Sequence, residues 1–158
     1  MNKREDSPTA NDSSIDDISR RIVSELQRDG RMTIAELGRR VGLSAPAVTE
    51  RLQRLEGAGV IRGYHADVNP RAIGLSLSAV VRIRPAPGQL RNVADAAVEA
   101  EEVVECHRIT GEDCYIMRAH VRDVEHLEEL IDRFTPLGQT TTSIVQSSPV
   151  PRRGVAVD

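Results

Sequence analysis

The apolar positions of the chain change period once, near its middle. Before that point they recur at helical spacing. Ile15, Ile18, Ile22 and Leu26 follow one another three or four residues apart, which predicts an amphipathic helix. Ser14, with Asp17 three positions on, predicts its cap, and Asp29-Gly30 predicts its end. Thr33 and Glu36 repeat the capping pattern ahead of Leu37 and Val41, so a second, short helix is expected. Gly42 breaks it. Ser44 then caps a third helix with Pro46 in its first turn and Val48, Leu52 and Leu55 on one face. Gly57 and Gly59 stop that helix, and Val60 to Ala66 suits a short strand or wing.

After Asn69-Pro70 the period drops to two. Leu75, Leu77, Ala79, Val81 and Ile83 alternate with Ser76, Ser78, Arg82 and Arg84, the pattern of a half-buried strand apart from apolar Val80 on the outer face. Pro85, Pro87 and Gly88 end it. A helix is expected over 89–101 with Leu90, Val93, Ala97 and Val98 on its apolar side. Strands over 103–109 and 114–121 flank the turn Thr110-Gly111-Glu112-Asp113. A helix over 124–135 and a strand over 140–147 complete the series. The order βαββαβ is that of ferredoxin-like domains. The expected fold class is therefore α+β, a helix-turn-helix (winged-helix-like) domain followed by a ferredoxin-like one. The boundaries are a disordered tail at 1–14, a helix-turn-helix domain at 15–66 and a linker at 67–74. A sensing and oligomerisation domain at 75–148 and a loose tail at 149–158 follow.

Charge divides along the same boundary. Residues 15–63 carry nine arginines against seven acids, whereas residues 64–158 carry ten against fourteen. An overall charge of −3 argues against a nucleic-acid partner, but its distribution places a positive excess on the helical region. With no Trp, two Tyr and one Phe, the chain has few rings for stacking on unpaired bases, which points away from single strands and RNA.

A helix that reads DNA must be held at a fixed angle by a partner helix through a tight turn. Thr33–Leu55 has those parts. Leu37, Val41, Leu43, Val48 and Leu52 supply the core, Gly42 supplies the turn, and Ser44 leaves backbone N–H groups at the start of the third helix. With Val48, Leu52 and Leu55 inward, Pro46, Glu50, Gln53 and Arg54 point outward, flanked by Thr49 and Arg51. Thr49, Glu50 and Gln53 suit base edges, and Arg51 and Arg54 suit phosphate oxygens. Arg39, Arg40 and Arg62 extend the phosphate grip. The competing reading is a helical hairpin with solvated arginines.

These residues resemble a known family. Asp16, Asp29-Gly30-Arg31, Val41-Gly42-Leu43-Ser44, Arg51, Leu55-Glu56, Gly59-Val60-Ile61 and Gly63-Tyr64 are similar to the amino-terminal half of the leucine-responsive regulatory protein/AsnC, or feast/famine, regulators. Val103-Val104-Glu105-Cys106, Thr110-Gly111 and Tyr115 resemble that family's amino-acid-sensing domain. The resemblance implies a transcription regulator that binds double-stranded DNA, has no cofactor and answers to an amino-acid effector. It also implies homodimers that assemble further, to octamers. By position it assigns effector binding to Gly111, Glu112, Asp113, Cys114, Thr140 and Thr142. Three positions depart from the pattern. Cys114 stands where an Asp is frequent, Gly138-Gln139 where an apolar residue precedes the last strand, and Ser19 where the first helix often has Asp. The Ser19 change is expected to be neutral; the other two bear on the identity of the effector.

No nucleophile–base motif, Gly-rich phosphate loop or carboxylate pair stands out, so no enzyme is expected. One alternative keeps the same architecture. Some haem-pathway decarboxylases resemble it and use His and Arg on a tetrapyrrole, a role that would fall to His107, Arg108 and His120. A further alternative is an interaction module that no longer binds DNA. No metal is expected, because no close Cys-x-x-Cys or His-x-x-x-His occurs. No apolar run spans a bilayer and the start is not signal-like, which predicts a cytoplasmic protein with reduced cysteines and no membrane partner. Cys114 is expected to be an exposed thiol and Cys106 to pack as a small hydrophobe.

Overall fold

A computed structural model describes residues 15–157. The chain forms two compact units, one running to Ala66 and including the residues from Arg152 on, the other Asp67–Pro151. No helix among the described residues is long and apolar enough to cross a membrane.

The first unit holds helices α1 (Asp17–Arg28), α2 (Ile34–Val41) and α3 (Ala45–Gly57). Their apolar stripes meet in a core of Ile22, Leu37, Val41, Val48, Leu52 and Leu55, with Ile15, Ile18 and Leu26 at its margin. The expected cap Ser14 lies outside the described residues. The cap of α1 is Asp16, whose carboxylate accepts the Ser19 N–H at 2.7 Å. The expected strand or wing over 60–66 does not form, and Ile61 alone of that stretch packs against the core. Tyr64 instead donates its hydroxyl to Glu56 at 2.9 Å. Residues 152–157, expected to be loose, lie along α1. Gln27 Nε2 donates to the Val155 carbonyl at 3.0 Å and Arg20 Nη1 to that of Val157 at 3.3 Å.

The second unit runs β1 (Leu77–Pro85), α4 (Leu90–Glu99), β2 (Val103–Arg108), β3 (Tyr115–Val121), α5 (Val124–Asp132) and β4 (Gly138–Ile144). The strands form one antiparallel sheet in the order β2-β3-β1-β4, which is the ferredoxin-like arrangement. Within the expected linker, Pro70–Ile73 makes a 3-10 turn capped by Asn69. The two helices cover one face of the sheet. There Ala79, Val81, Ile83, Tyr115, Met117, Ala119 and Val121 pack against Val93, Ala97, Leu127, Leu130 and Phe134.

Two expectations shift. Val98 is 87% exposed, because it lies about 100° round α4 from the buried Ala97. Strand β4 starts at Gly138 rather than 140, opposite Pro85 of β1.

A charged cluster ties α5 to the start of β2. The Glu102 carboxylate accepts His126 Nε2 at 2.9 Å and Arg133 Nη2, while His126 Nδ1 accepts the Arg122 N–H at 3.3 Å. Burial works to raise the Glu102 pKa. Its own backbone N–H, His126 and Arg133 outweigh that effect and hold it at about 2.

Candidate functional site

The turn between α2 and α3 is built from glycines. Gly42 ends α2 in the left-handed conformation at φ 76°. Gly38, which the sequence pattern did not single out, sits where the chain crosses itself. Its carbonyl accepts the Leu43 N–H at 2.9 Å, and a Cβ on it would lie 2.6 Å from the Leu43 carbonyl oxygen. Close passage of two backbones leaves no trace in a hydrophobic pattern, so only the fold exposes this requirement. Thr33 caps α2 through its hydroxyl, but Glu36 does not reach back. It binds Arg39 and Arg40 instead, chiefly by charged hydrogen bonds, and its pKa falls to about 2.

On α3, Ser44 takes the cap position without making a side-chain cap bond. Beyond it Pro46, Thr49, Glu50, Gln53 and Arg54 form an exposed row, as the helical spacing predicts. Thr49 donates its hydroxyl to the Ala45 carbonyl at 3.0 Å. Arg54 lies 3.4 Å from Glu50 in an exposed pair one helical turn apart. Such pairs are worth only about 0.3–0.5 kcal/mol, so this one ties Arg54 down weakly. Arg39 is held more closely, by two hydrogen bonds to the Glu36 carboxylate at 2.9 and 2.7 Å, but its side chain is still exposed. Arg40 is different, because it bridges Glu36 and Glu25 at 2.7 Å each and so joins α2 to α1.

Arg51, expected to grip a phosphate, is turned toward the start of α1. Its Nη1 lies 2.5 Å from Asp16 Oδ2 and 3.2 Å from the Ser19 hydroxyl, and its side chain is 22% exposed. Ser19, expected to be a neutral change, is buried and bonded at both its N–H and its hydroxyl. The Arg51 guanidinium, followed by the Ser19 N–H, holds the Asp16 carboxyl well below the usual range.

In the second unit, the turn between β2 and β3 is closed by the Ile109 N–H on the Cys114 carbonyl at 2.8 Å. Gly111 lies within it at φ 116°. Arg84 binds the Glu112 carboxylate at 2.7 Å and its carbonyl at 3.1 Å, and Arg82 lies 3.3 Å from Asp113. These two arginines occupy the polar positions of β1, which the sequence pattern marked only as a solvated face. The strand period then separates the expected site residues. Thr140 pairs with Ile83 and Thr142 with Val81, so both lie on the helix-covered face. Thr141, opposite Arg82, and Gln139, opposite Arg84, share the open face with the arginines. The structure therefore groups Gly111, Glu112 and Asp113 with Arg82 and Arg84, and leaves Thr140 and Thr142 apart.

The cysteines exchange their expected environments. Cys114 is half-buried against the core of the second unit, and its N–H donates to the Ile83 carbonyl at 3.0 Å. Cys106 is exposed, because β2 is an edge strand and loses burial on both faces. Partial desolvation still raises its thiol pKa.

Family models decide what this pair of units is. The AsnC-type helix-turn-helix domain matches residues 15–56, and the Lrp/AsnC ligand binding domain matches residues 78–155. The chain belongs to the Lrp/AsnC family. The HTH-type transcriptional regulator LrpA of Mycobacterium tuberculosis is 42% identical to this regulator over 130 residues, covering 82% of it and 87% of LrpA. The leucine-responsive regulatory protein of Escherichia coli K12 is 37% identical over 138 residues, covering 83% and 84%. Among solved structures, LrpC of Bacillus subtilis aligns at a TM-score of 0.83 and 30% identity, covering 87% of this chain and 99% of that one. The feast or famine regulatory protein of M. tuberculosis complexed with L-methionine aligns at 0.85 and 38% identity, covering 90% and 99%. The regulator is thus a DNA-binding transcription regulator and not an enzyme, and the tetrapyrrole decarboxylase reading is not favoured.

Proposed function

We propose that the regulator binds double-stranded DNA as a homodimer that assembles further, to an octamer, with α3 of two heads in successive major grooves. In this reading residues 15–66 are the head, 67–74 the linker and 75–148 the sensing domain, in a cytoplasmic protein. The observation that carries it is the exposed row Pro46, Thr49, Glu50, Gln53 and Arg54 on a helix whose inner face is locked into the head core. Thr49, Glu50 and Gln53 read base edges. Arg39 and Arg54, with the first-turn N–H groups after Ser44, hold phosphates, and Arg40 adds charge while bracing α2. Arg54→Ala is expected to make the dependence of log Kd on log salt shallower by about 1, as one lost phosphate contact would. Fluorescence anisotropy at several salt concentrations measures it, and an unchanged slope removes Arg54 from the phosphate grip.

An amino acid is the proposed effector, supported by the L-methionine complex of the M. tuberculosis relative. The proposed site is the turn Gly111, Glu112, Asp113 and Cys114, extended by Arg82 and Arg84. Alternating carboxylates and guanidiniums match the ammonium and carboxylate of a zwitterion. Binding there changes DNA affinity only so far as the ligand prefers one state of the assembly. Asp113→Asn is expected to shift the L-methionine or L-leucine response by roughly tenfold and to leave ligand-free DNA binding intact. Equal loss of both activities contradicts a separate effector site.

A further inference from the structure

We propose that Arg51, Asp16 and Ser19 form a lock that sets the angle of α3 against α1, so that Arg51 governs sequence discrimination as a positioning residue rather than as a phosphate contact. The proposal rests on the DNA-binding reading above. Arg51 sits on α3 between the exposed Glu50 and the buried Leu52. Its side chain turns away from the exposed row and crosses to the start of α1, thirty-five positions away in sequence. One nitrogen, Nη1, serves both Asp16 Oδ2 at 2.5 Å and the Ser19 hydroxyl at 3.2 Å. Asp16 is itself fixed, because its other oxygen accepts the Ser19 N–H as the helix cap. Guanidinium, carboxylate and helix end therefore form a closed set of hydrogen bonds.

Val48, Leu52 and Leu55 join α3 to the head core through apolar contact. Apolar contact is non-directional and tolerates small rotations. A charged hydrogen bond is directional and tolerates few. Reading base edges requires side chains held to within about 0.5 Å and 10–20°, a precision that a directional restraint supplies. Phosphate gripping requires only charge, which the exposed Arg39 and Arg54 already provide.

The test uses the full-length chain and a duplex that the wild-type protein selects from a random-sequence library, with a mixed-sequence duplex as reference. Discrimination is the ratio of the two affinities, measured across a salt series below the melting temperature. Asp16→Asn keeps a capping oxygen but removes the charge that holds Arg51. Arg51→Ala and Asp16→Asn are each expected to lower discrimination by roughly tenfold or more, with the salt slope unchanged. The double variant is expected to be no worse than Arg51→Ala alone, since both changes remove the same contact. The opposite pattern overturns the proposal: Arg51→Ala lowers the salt slope by about 1, while Asp16→Asn leaves discrimination intact or tightens binding by freeing the arginine. A fall in melting temperature with discrimination intact in both single variants also overturns it, by reducing the lock to a purely structural tie. Should Arg51→Ala fail to fold, Asp16→Asn alone decides between the two outcomes. Failure of the wild-type protein to select any duplex would instead count against the DNA-binding reading itself.

Discussion

Gly38→Ala is expected to weaken DNA binding by roughly tenfold or more while the sensing unit stays folded. Two effects of opposite sign compete at this position. Alanine is the better helix former by about 1 kcal/mol. Its Cβ, however, would lie 2.6 Å from the Leu43 carbonyl oxygen and 3.5 Å from Val48 Cγ2. The near atom belongs to the backbone of the turn, so it cannot swing aside like the end of a flexible side chain. Relief requires α2 and α3 to separate, and overpacking of this kind costs about 1–3 kcal/mol. The clash wins, and α3 carries the displacement to the groove. Anisotropy titration against a selected duplex, with circular dichroism on the same samples, measures the effect. A protein that melts higher and binds DNA as before would show that propensity wins instead.

The second large effect is expected at Gly138, where alanine should destabilise the sensing unit by about 2 kcal/mol or more. A Cβ there would run into the Arg84 carbonyl oxygen and lie 2.7 Å from Pro85 Cα, both backbone atoms of the neighbouring strand. Gly138 is the first residue of β4 and pairs with Pro85 at the end of β1. Moving β4 away would open the sheet beside Arg84, which holds the Glu112 turn. The expected result is an earlier sensing-unit transition in a urea melt, together with a weakened effector response. An unchanged midpoint would mean that the strand end yields freely.

These two glycines show where the sequence is readable and where it is not. The helices of the head follow from the spacing of Ile15, Ile18 and Ile22 and of Val48, Leu52 and Leu55, because burial on one side imposes a period near 3.6. Strand β1 follows from alternation of Ala79, Val81 and Ile83 with Arg82 and Arg84 for the same reason at period two. Strand β4 reads Thr-Thr-Thr-Ser at its centre, which is polar on both faces. No alternation marks which threonines lie inward, so the pattern does not show that Thr140 and Thr142 share the helix-covered face with Ile83 and Val81. Strand β2 lies at the sheet edge, where burial is too weak to separate Cys106 from a solvated position. The role of Arg51 was out of reach for another reason. Helical spacing places it on the flank of α3, but its partner Asp16 is local only in three dimensions. Both the Gly38 and the Gly138 contacts are likewise backbone-to-backbone approaches that no side-chain pattern encodes.

The central claim is that α3 reads sequence from two paired heads, and selection from a random-sequence duplex library tests it most directly. The account predicts recovery of a shared motif with two related half-sites, centred about one helical turn or a multiple apart. It further predicts that added L-methionine or L-leucine changes the yield or spacing of the recovered duplexes. Recovery of duplexes with no shared sequence, at salt concentrations where binding is still measurable, would contradict it.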